Sequence, residues 1–382
     1  MNTRGQECQG CQECQGGQGT MRGVAGERGY LLVEMLVSAA IVCTVLGVVL
    51  SLAAAAQTSV RAAGEVADLQ QRLRVAVEAL RGDLLAAGAG PSAGSGAGPL
   101  NDVFAPVLPL RSGRTGADPD LSAYTDRISL FYVPRGASET ALTRGMTTGG
   151  DPLIVDGSAP GCPGGNVCGF HAGDRVLVYS AGDAEGGRDV FTILAADAAL
   201  GAIVPAAPLS RPYPAGARVV SIVQRVYYLD RPGRRLMVYD GDRSDVPLVD
   251  HVVDLRFAYD ADPAAASATP PATGGGNCAY AAGDPPVPRL EDLGGVALVR
   301  LASARMSDGP VCGGAGGAFD ADLLRVRRIV VSLRLEAEGG EFRGSGPAFA
   351  NPGTSREASR YVPDVELVFS VAPRNMGNTA LR

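Results

Sequence analysis

The stretch from Met35 to Ala56 carries no charged residue, and no other feature constrains this 382-residue chain as strongly. A helix of that length rises about 33 Å at about 1.5 Å per residue, enough to cross the hydrocarbon core of a bilayer. One acidic residue, Glu34, stands at its head, behind Arg28-Gly29-Tyr30-Leu31-Leu32-Val33. A carboxylate on an apolar span costs about 2.5–3.5 kcal/mol on insertion scales, so a chain that retains one there usually has a partner for it. Basic residues followed by an apolar span also fit a signal anchor with an incidental glutamate. A cleaved secretory signal fits worse, because the run is too long and lacks a small-x-small exit before polar sequence. Arg22 and Arg28 place the preceding segment on the cytoplasmic side by the positive-inside rule.

Glycine, an aromatic residue, three aliphatics and then glutamate, Gly29 to Glu34, resembles the processing site of type IV prepilins. The resemblance implies a cut between Gly29 and Tyr30, methylation of the new terminal amine on Tyr30, and a role for Glu34 in assembly. Residues 1–29 are then a leader, with translation starting at Met1 or at Met21. Cys8, Cys11 and Cys14 have a C-x-x-C-x-x-C spacing, but they fall in a Gln/Gly/Glu repeat of that leader and lack a fourth ligand.

Composition narrows the function classes. The net charge is -6, and every cation is arginine, which argues against a general nucleic-acid binder with a basic field. Without lysine a Walker A loop cannot be built. The two histidines, His171 before a Gly-Asp turn and His251 in an expected strand, form no constellation with the cysteines. The expectation is a non-enzyme without a cofactor or a metal. Asp240, Asp242 and Asp245 could offer oxygens to calcium, but Arg243 intrudes, the twelve-residue loop pattern is absent, and an Asp-Gly turn accounts for them.

Beyond Ala56 the helical pattern continues as an amphipathic one. Val66, Leu69, Leu73, Val77, Leu80 and Leu84 recur at spacings of three and four until Gly88, Gly90 and Pro91 end it. The expected organisation is 30–56 as the membrane half of one helix, 57–88 as its amphipathic half, 89–122 as a surface loop, and 123–382 as a β-rich head. Strands are expected at 127–133, 175–180, 189–194, 217–229, 235–239, 251–259, 329–336 and 361–371. Ile329, Val331, Leu333 and Leu335 share one face, opposite Val330, Ser332, Arg334 and Glu336. One buried and one wet face implies an antiparallel sheet laid on the helix. The expected fold class is therefore α+β.

Several stretches are similar to the PilW-like minor pilins: Arg81-Gly82-Asp83-Leu84-Leu85-Ala86-Ala87-Gly88 at the helix end, Gly173 to Tyr179, Tyr227-Tyr228-Leu229, Arg235 to Tyr239, Val253 to Tyr259, Val326 to Leu335, and Ala372-Pro373-Arg374-Asn375. The resemblance implies the type IV pilin fold with a small inserted β-subdomain. It also implies a structural subunit of a type IV pilus, acting in a priming or tip complex. Implied partners are prepilin peptidase, an inner-membrane assembly platform, and other minor and major pilins. The implied location is the bacterial inner membrane, single pass with a periplasmic head, and then the filament. A J-type minor pseudopilin of type II secretion shares this design. From another class, a membrane-tethered adhesin or DNA-uptake module remains open. The proline that many major pilins carry about twenty residues into the helix is absent, and Ser51 stands there.

Cys43 falls within the apolar span and reads as a small apolar residue. Cys162, Cys168, Cys278 and Cys312 would be exported, where thiols oxidise. Of three pairings, Cys162–Cys168 and Cys278–Cys312 are expected, contributing roughly 2.4 and 3.8 kcal/mol in the loop-entropy account. A zinc site on the four thiolates is the rival, without a C-x-x-C knuckle.

Overall fold

The computed structural model describes residues 30–91, 99–102, 104–180, 188–262, 297–309, 311–313, 317–356 and 360–376. The fold is α+β, with one long N-terminal helix and antiparallel sheets. Residues 1–60 and 61–382 form separate units.

Helix α1 runs from Tyr30 to Ala86 without a proline. Long alanine, leucine and valine runs suit it, since none competes for backbone hydrogen bonds. It closes on Gly88, whose φ of +80° is the left-handed conformation that glycine adopts without strain. Within the second unit its buried residues are Leu69, Ala76, Leu80 and Leu84, continued by Ala87 just past its end, with Leu73 half-buried. These positions advance by three or four, one continuous stripe of a 3.6-residue helix. Two expected members stand off it. Val66 is 39 % exposed, and Val77 yields the innermost place to Ala76.

Two strands come first, β1 (Val107–Leu108) and β2 (Arg127–Tyr132). Six follow as an excursion: β3 (Glu139–Ala141), β4 (Leu153–Ile154), β5 (Arg175–Tyr179), β6 (Arg188–Asp197), β7 (Ala202–Pro205) and β8 (Arg218–Ser221). Next are β9 (Val223–Asp230), β10 (Arg235–Tyr239), β11 (Asp245–Asp250) and β12 (Val252–Ala261). The chain closes with β13 (Val299–Arg300), β14 (Val311–Cys312), β15 (Phe319–Asp320), β16 (Val326–Leu335) and β17 (Val365–Val371).

A central sheet has the order β1-β2-β9-β10-β11, and a second has β13-β12-β16-β17. The excursion builds its own sheet, β3-β8-β5-β6-β7-β4, and β14 pairs with β15. Leu80 and Leu84 of α1 share one apolar cluster with Ile128, Leu130 and Tyr227 of the central sheet and with Phe257, Val331 and Leu333 of the second. Truncating a leucine at such a position to alanine costs about 2–5 kcal/mol. A smaller cluster, with Leu153, Phe170, Val176, Ile193 and Val219, lies within the excursion.

Three local readings change. Residues 104–110, expected in a surface loop, are buried, and β1 lies among them. His251 is a left-handed turn residue (φ 60°) between β11 and β12 rather than a strand residue. Glu336, expected on the wet face, is fully buried, because Arg234, Arg343 and Asn351 all donate to its carboxylate.

The end of α1 is tied to the central sheet through Asp83. The Tyr132 hydroxyl donates to Oδ1 at 2.9 Å, and the Tyr227 hydroxyl donates to Oδ2 at 2.6 Å. Burial, then the Asp83 charge, push both phenols well above the usual tyrosine range.

Candidate functional site

Glu34 is the fifth residue of α1 counted from Tyr30. Its carboxylate is exposed and makes no hydrogen bond or ion pair with the described residues. Gly29, the expected cleavage residue, lies outside the described residues, as does the whole expected leader. Tyr30 begins the described helix.

The helix around Glu34 is apolar and outward-facing. Met35 is 72 % exposed and Leu36 62 %, and Val37, Ile41, Val45, Val48, Val49 and Leu52 are likewise exposed. An apolar surface this long would be strongly unfavourable in water. Two of the span's three hydroxyls are satisfied internally, as lipid requires. Thr44 Oγ1 donates to the Ile41 carbonyl and Ser51 Oγ to the Val48 carbonyl, both at 2.8 Å. By length and composition this is a helix able to cross a membrane. Cys43 in the same stretch is a free, exposed thiol.

The acidic loop Asp240, Asp242 and Asp245 joins β10 to β11. Asp240 Oδ1 accepts from the backbone N–H groups of Asp242, Arg243 and Ser244 at 2.8, 3.0 and 3.1 Å. The Asp242 carboxylate lies 3.5 Å from Arg114 and from Arg243. Asp245 faces Arg111 at 2.8 Å and accepts from the Tyr228 hydroxyl. Each carboxylate therefore serves a different partner, and the loop is a turn held by its own side chains. Gly241 is required there: φ is +84°, and a Cβ would lie 2.2 Å from Gln224 Oε1.

A second acidic group escaped sequence reading. Carboxylate oxygens of Asp308, Asp320 and Asp322 lie within 4.8 Å of one another. Two arginines already neutralise much of it. Arg305 reaches Asp308 at 3.4 Å and Asp322 at 3.2 Å, and Arg325 reaches Asp322 at 2.9 Å. Burial raises the Asp320 carboxyl above its usual range, against hydrogen bonds from the Asp322 and Gly309 N–H groups.

Cys162 and Cys168 form a disulfide, with Cα atoms 4.6 Å apart. Cys168 is buried in the excursion's apolar cluster. Cys312 is also disulfide-bonded. Cys278, its expected partner, lies outside the described residues. Of the histidines, His171 is 81 % exposed in its side chain, 3.8 Å from Asp174.

No family model matches the chain, and no curated protein or solved structure matches it.

Proposed function

We propose that this chain is a minor pilin of the PilW-like kind, a membrane-anchored subunit that joins a type IV pilus after removal of residues 1–29. One observation carries the reading: Glu34 is the fifth residue of the helix that starts at Tyr30, without a partner among the described residues, at the head of a span whose apolar side chains are exposed. The type IV pilin fold is part of the same proposal, supported by an α+β head whose sheets share an apolar core with the second half of the helix.

In this reading the span holds the precursor in the inner membrane with the head in the periplasm. A peptidase cuts after Gly29, where a residue without a side chain fits. The amine freed on Tyr30 is cationic, and Glu34 of the same or a neighbouring subunit pairs with it. At about 4 Å and an effective dielectric of about 20, such a pair gains roughly 4 kcal/mol. Burial of the outward-facing side chains against neighbouring subunits adds the non-directional part, and the charge pair sets register.

Intact mass of protein extracted from membranes tests the proposal. A methylated chain starting at Tyr30 is expected, with no cleavage in Gly29→Glu. Glu34→Ala should be inserted and cut but should no longer co-purify with other pilins. A mature chain that begins beyond Ala56, or an undiminished complex in Glu34→Ala, would overturn the reading.

A further inference from the structure

A cavity of about 290 Å³ lies in the second unit, with one wall from β1, β2 and the loop after β1 and the other from the β5–β6 hairpin. Side chains at alternate positions of a strand share a face, and Arg188, Val190 and Thr192 of β6 all line this cavity. Arg175 of β5 is the register partner of Thr192 and lines it as well. The hairpin thus presents two guanidinium groups on either side of an aliphatic residue. Leu110 and Phe131 make the apolar part of the opposite wall.

The hydrogen-bond and ring contacts of both cations are to neutral groups, while Asp120 and Asp189 act on Arg188, and Asp242 and Asp240 on Arg175, through charge alone. Arg175 Nη2 donates to Gln224 Oε1 at 2.5 Å and Nη1 to Thr192 Oγ1 at 3.3 Å, while its buried Nε–H has no partner. The Arg188 guanidinium lies 4.0 Å from the ring centroid of Phe104 and 5.1 Å from that of Phe319. It donates to the Gly317 carbonyl at 3.3 Å. Among the described residues no carboxylate is paired with either arginine. Burial depresses both, Arg188 to about 10, which leaves it charged at neutral pH.

Three carboxylates also line this cavity, and two of them have other partners. Asp189 accepts from the Ser210 N–H and Oγ–H and from the Tyr213 hydroxyl at 2.7 Å. Asp242 faces Arg114, and Asp120 is exposed. Their charge disfavours a multiply charged anion such as phosphate. A single carboxylate matches the planar fork of a guanidinium, and the apolar wall needs a hydrocarbon body.

We propose that this cavity binds a small organic carboxylate, with Arg175 and Arg188 supplying the positive charge and Leu110, Phe131 and Val190 receiving the hydrocarbon. The volume suits a molecule at the small end of those that protein pockets enclose, about 300 Å³ and upward. The inference stands apart from the pilin reading, since it needs only the folded chain.

The test is thermal unfolding of the full-length protein in detergent, followed by circular dichroism, with benzoate as the probe against chloride and phosphate at equal ionic strength. Benzoate should raise the midpoint in a saturating manner, and phosphate and chloride should not. Arg175→Gln and Arg188→Gln should each weaken the benzoate response about tenfold, the equivalent of one charged hydrogen bond. Arg256→Gln, at an exposed arginine outside the cavity lining, should leave it intact. Should either arginine variant fail to fold, Val190→Phe, which fills the cavity without removing charge, should abolish the response. Equal midpoints in benzoate and chloride, or a response unchanged in the folded arginine variants or in Val190→Phe, would overturn the proposal.

Discussion

Replacing Asp83 by alanine removes the acceptor that two tyrosine hydroxyls share, and its effect follows from their different burial. Tyr227 is 2 % exposed, so its hydroxyl has no water to turn to when the carboxylate is gone. A hydrogen bond to a charged group contributes about 1.5–3 kcal/mol, and a buried donor left without an acceptor sits at the upper part of that range. Tyr132 is half-buried and can recruit water, which reduces its share to about 0.5–1 kcal/mol. The sum is about 2–4 kcal/mol. At about 2 °C per kcal/mol for a unit of this size, the midpoint should fall by about 4–8 °C. Asp83→Asn keeps one acceptor oxygen and should fall between alanine and wild type. Thermal unfolding of the full-length protein by circular dichroism measures both. A second readout is specific to the contact: ultraviolet titration should show the two phenols ionising at lower pH in Asp83→Ala, because burial remains but the neighbouring charge is gone. A midpoint within about 1 °C of wild type would refute the clasp as a stabilising contact.

Two further outcomes are expected. Serine at both Cys162 and Cys168 should lower stability by roughly 2.4 kcal/mol in denaturant unfolding, since the loop they close spans six positions; free thiols at these positions in protein purified without reductant would contradict the bond. The Asp126 carboxyl is pushed up by burial but held below its usual range by Arg127 and Arg231, which outweigh it. The folded state therefore binds that proton less well than the unfolded chain. Its contribution is present above the unfolded value of about 3.9 and is lost as pH falls through the lower folded value. The stability gap between wild type and Asp126→Asn should be full at neutral pH and should shrink below about pH 4 in denaturant titrations.

Local signals were legible and long-range ones were not. β10 falls at Arg235–Tyr239 as the apolar alternation indicates, and the buried face of β16 is the one read from Ile329, Val331, Leu333 and Leu335. The strand expected over 217–229 is two. Ile222 is the hinge at which the chain passes from the excursion's sheet into the central one, and no breaker residue marks the change. β11 was missed because Pro247 and its flanking acids read as a loop, whereas an edge strand tolerates proline. β1, β4, β13, β14 and β15 are two residues each, too short to show a period. Residues 104–110 contain two prolines, which suggest a surface turn, yet their apolar side chains carry the segment inward. Glu34 is visible because it breaks an apolar run within six residues of Gly29. Asp83 is not, because its tyrosines lie 49 and 144 positions away. Arg175 and Arg188 likewise look like ordinary charged strand residues until Phe104, Phe319 and Gln224 surround them.

The way the six-stranded excursion is attached has a consequence for exchange of parts. It departs after Tyr132 and returns at Val223, which face each other in the β2–β9 ladder. Paired residues in such a ladder are about 4.5–5.5 Å apart, close enough for a tight turn to span. To the central sheet, the whole excursion is therefore the tip of one hairpin, and its length enters the closure entropy only logarithmically. A different module could be grafted between these two residues without shifting the register of any remaining strand. The graft would still have to replace Val133, Leu177, Tyr179, Val220 and Ile222, which the excursion contributes to the main apolar cluster. The head thus has an interchangeable site, defined by two facing residues and a five-residue apolar lid.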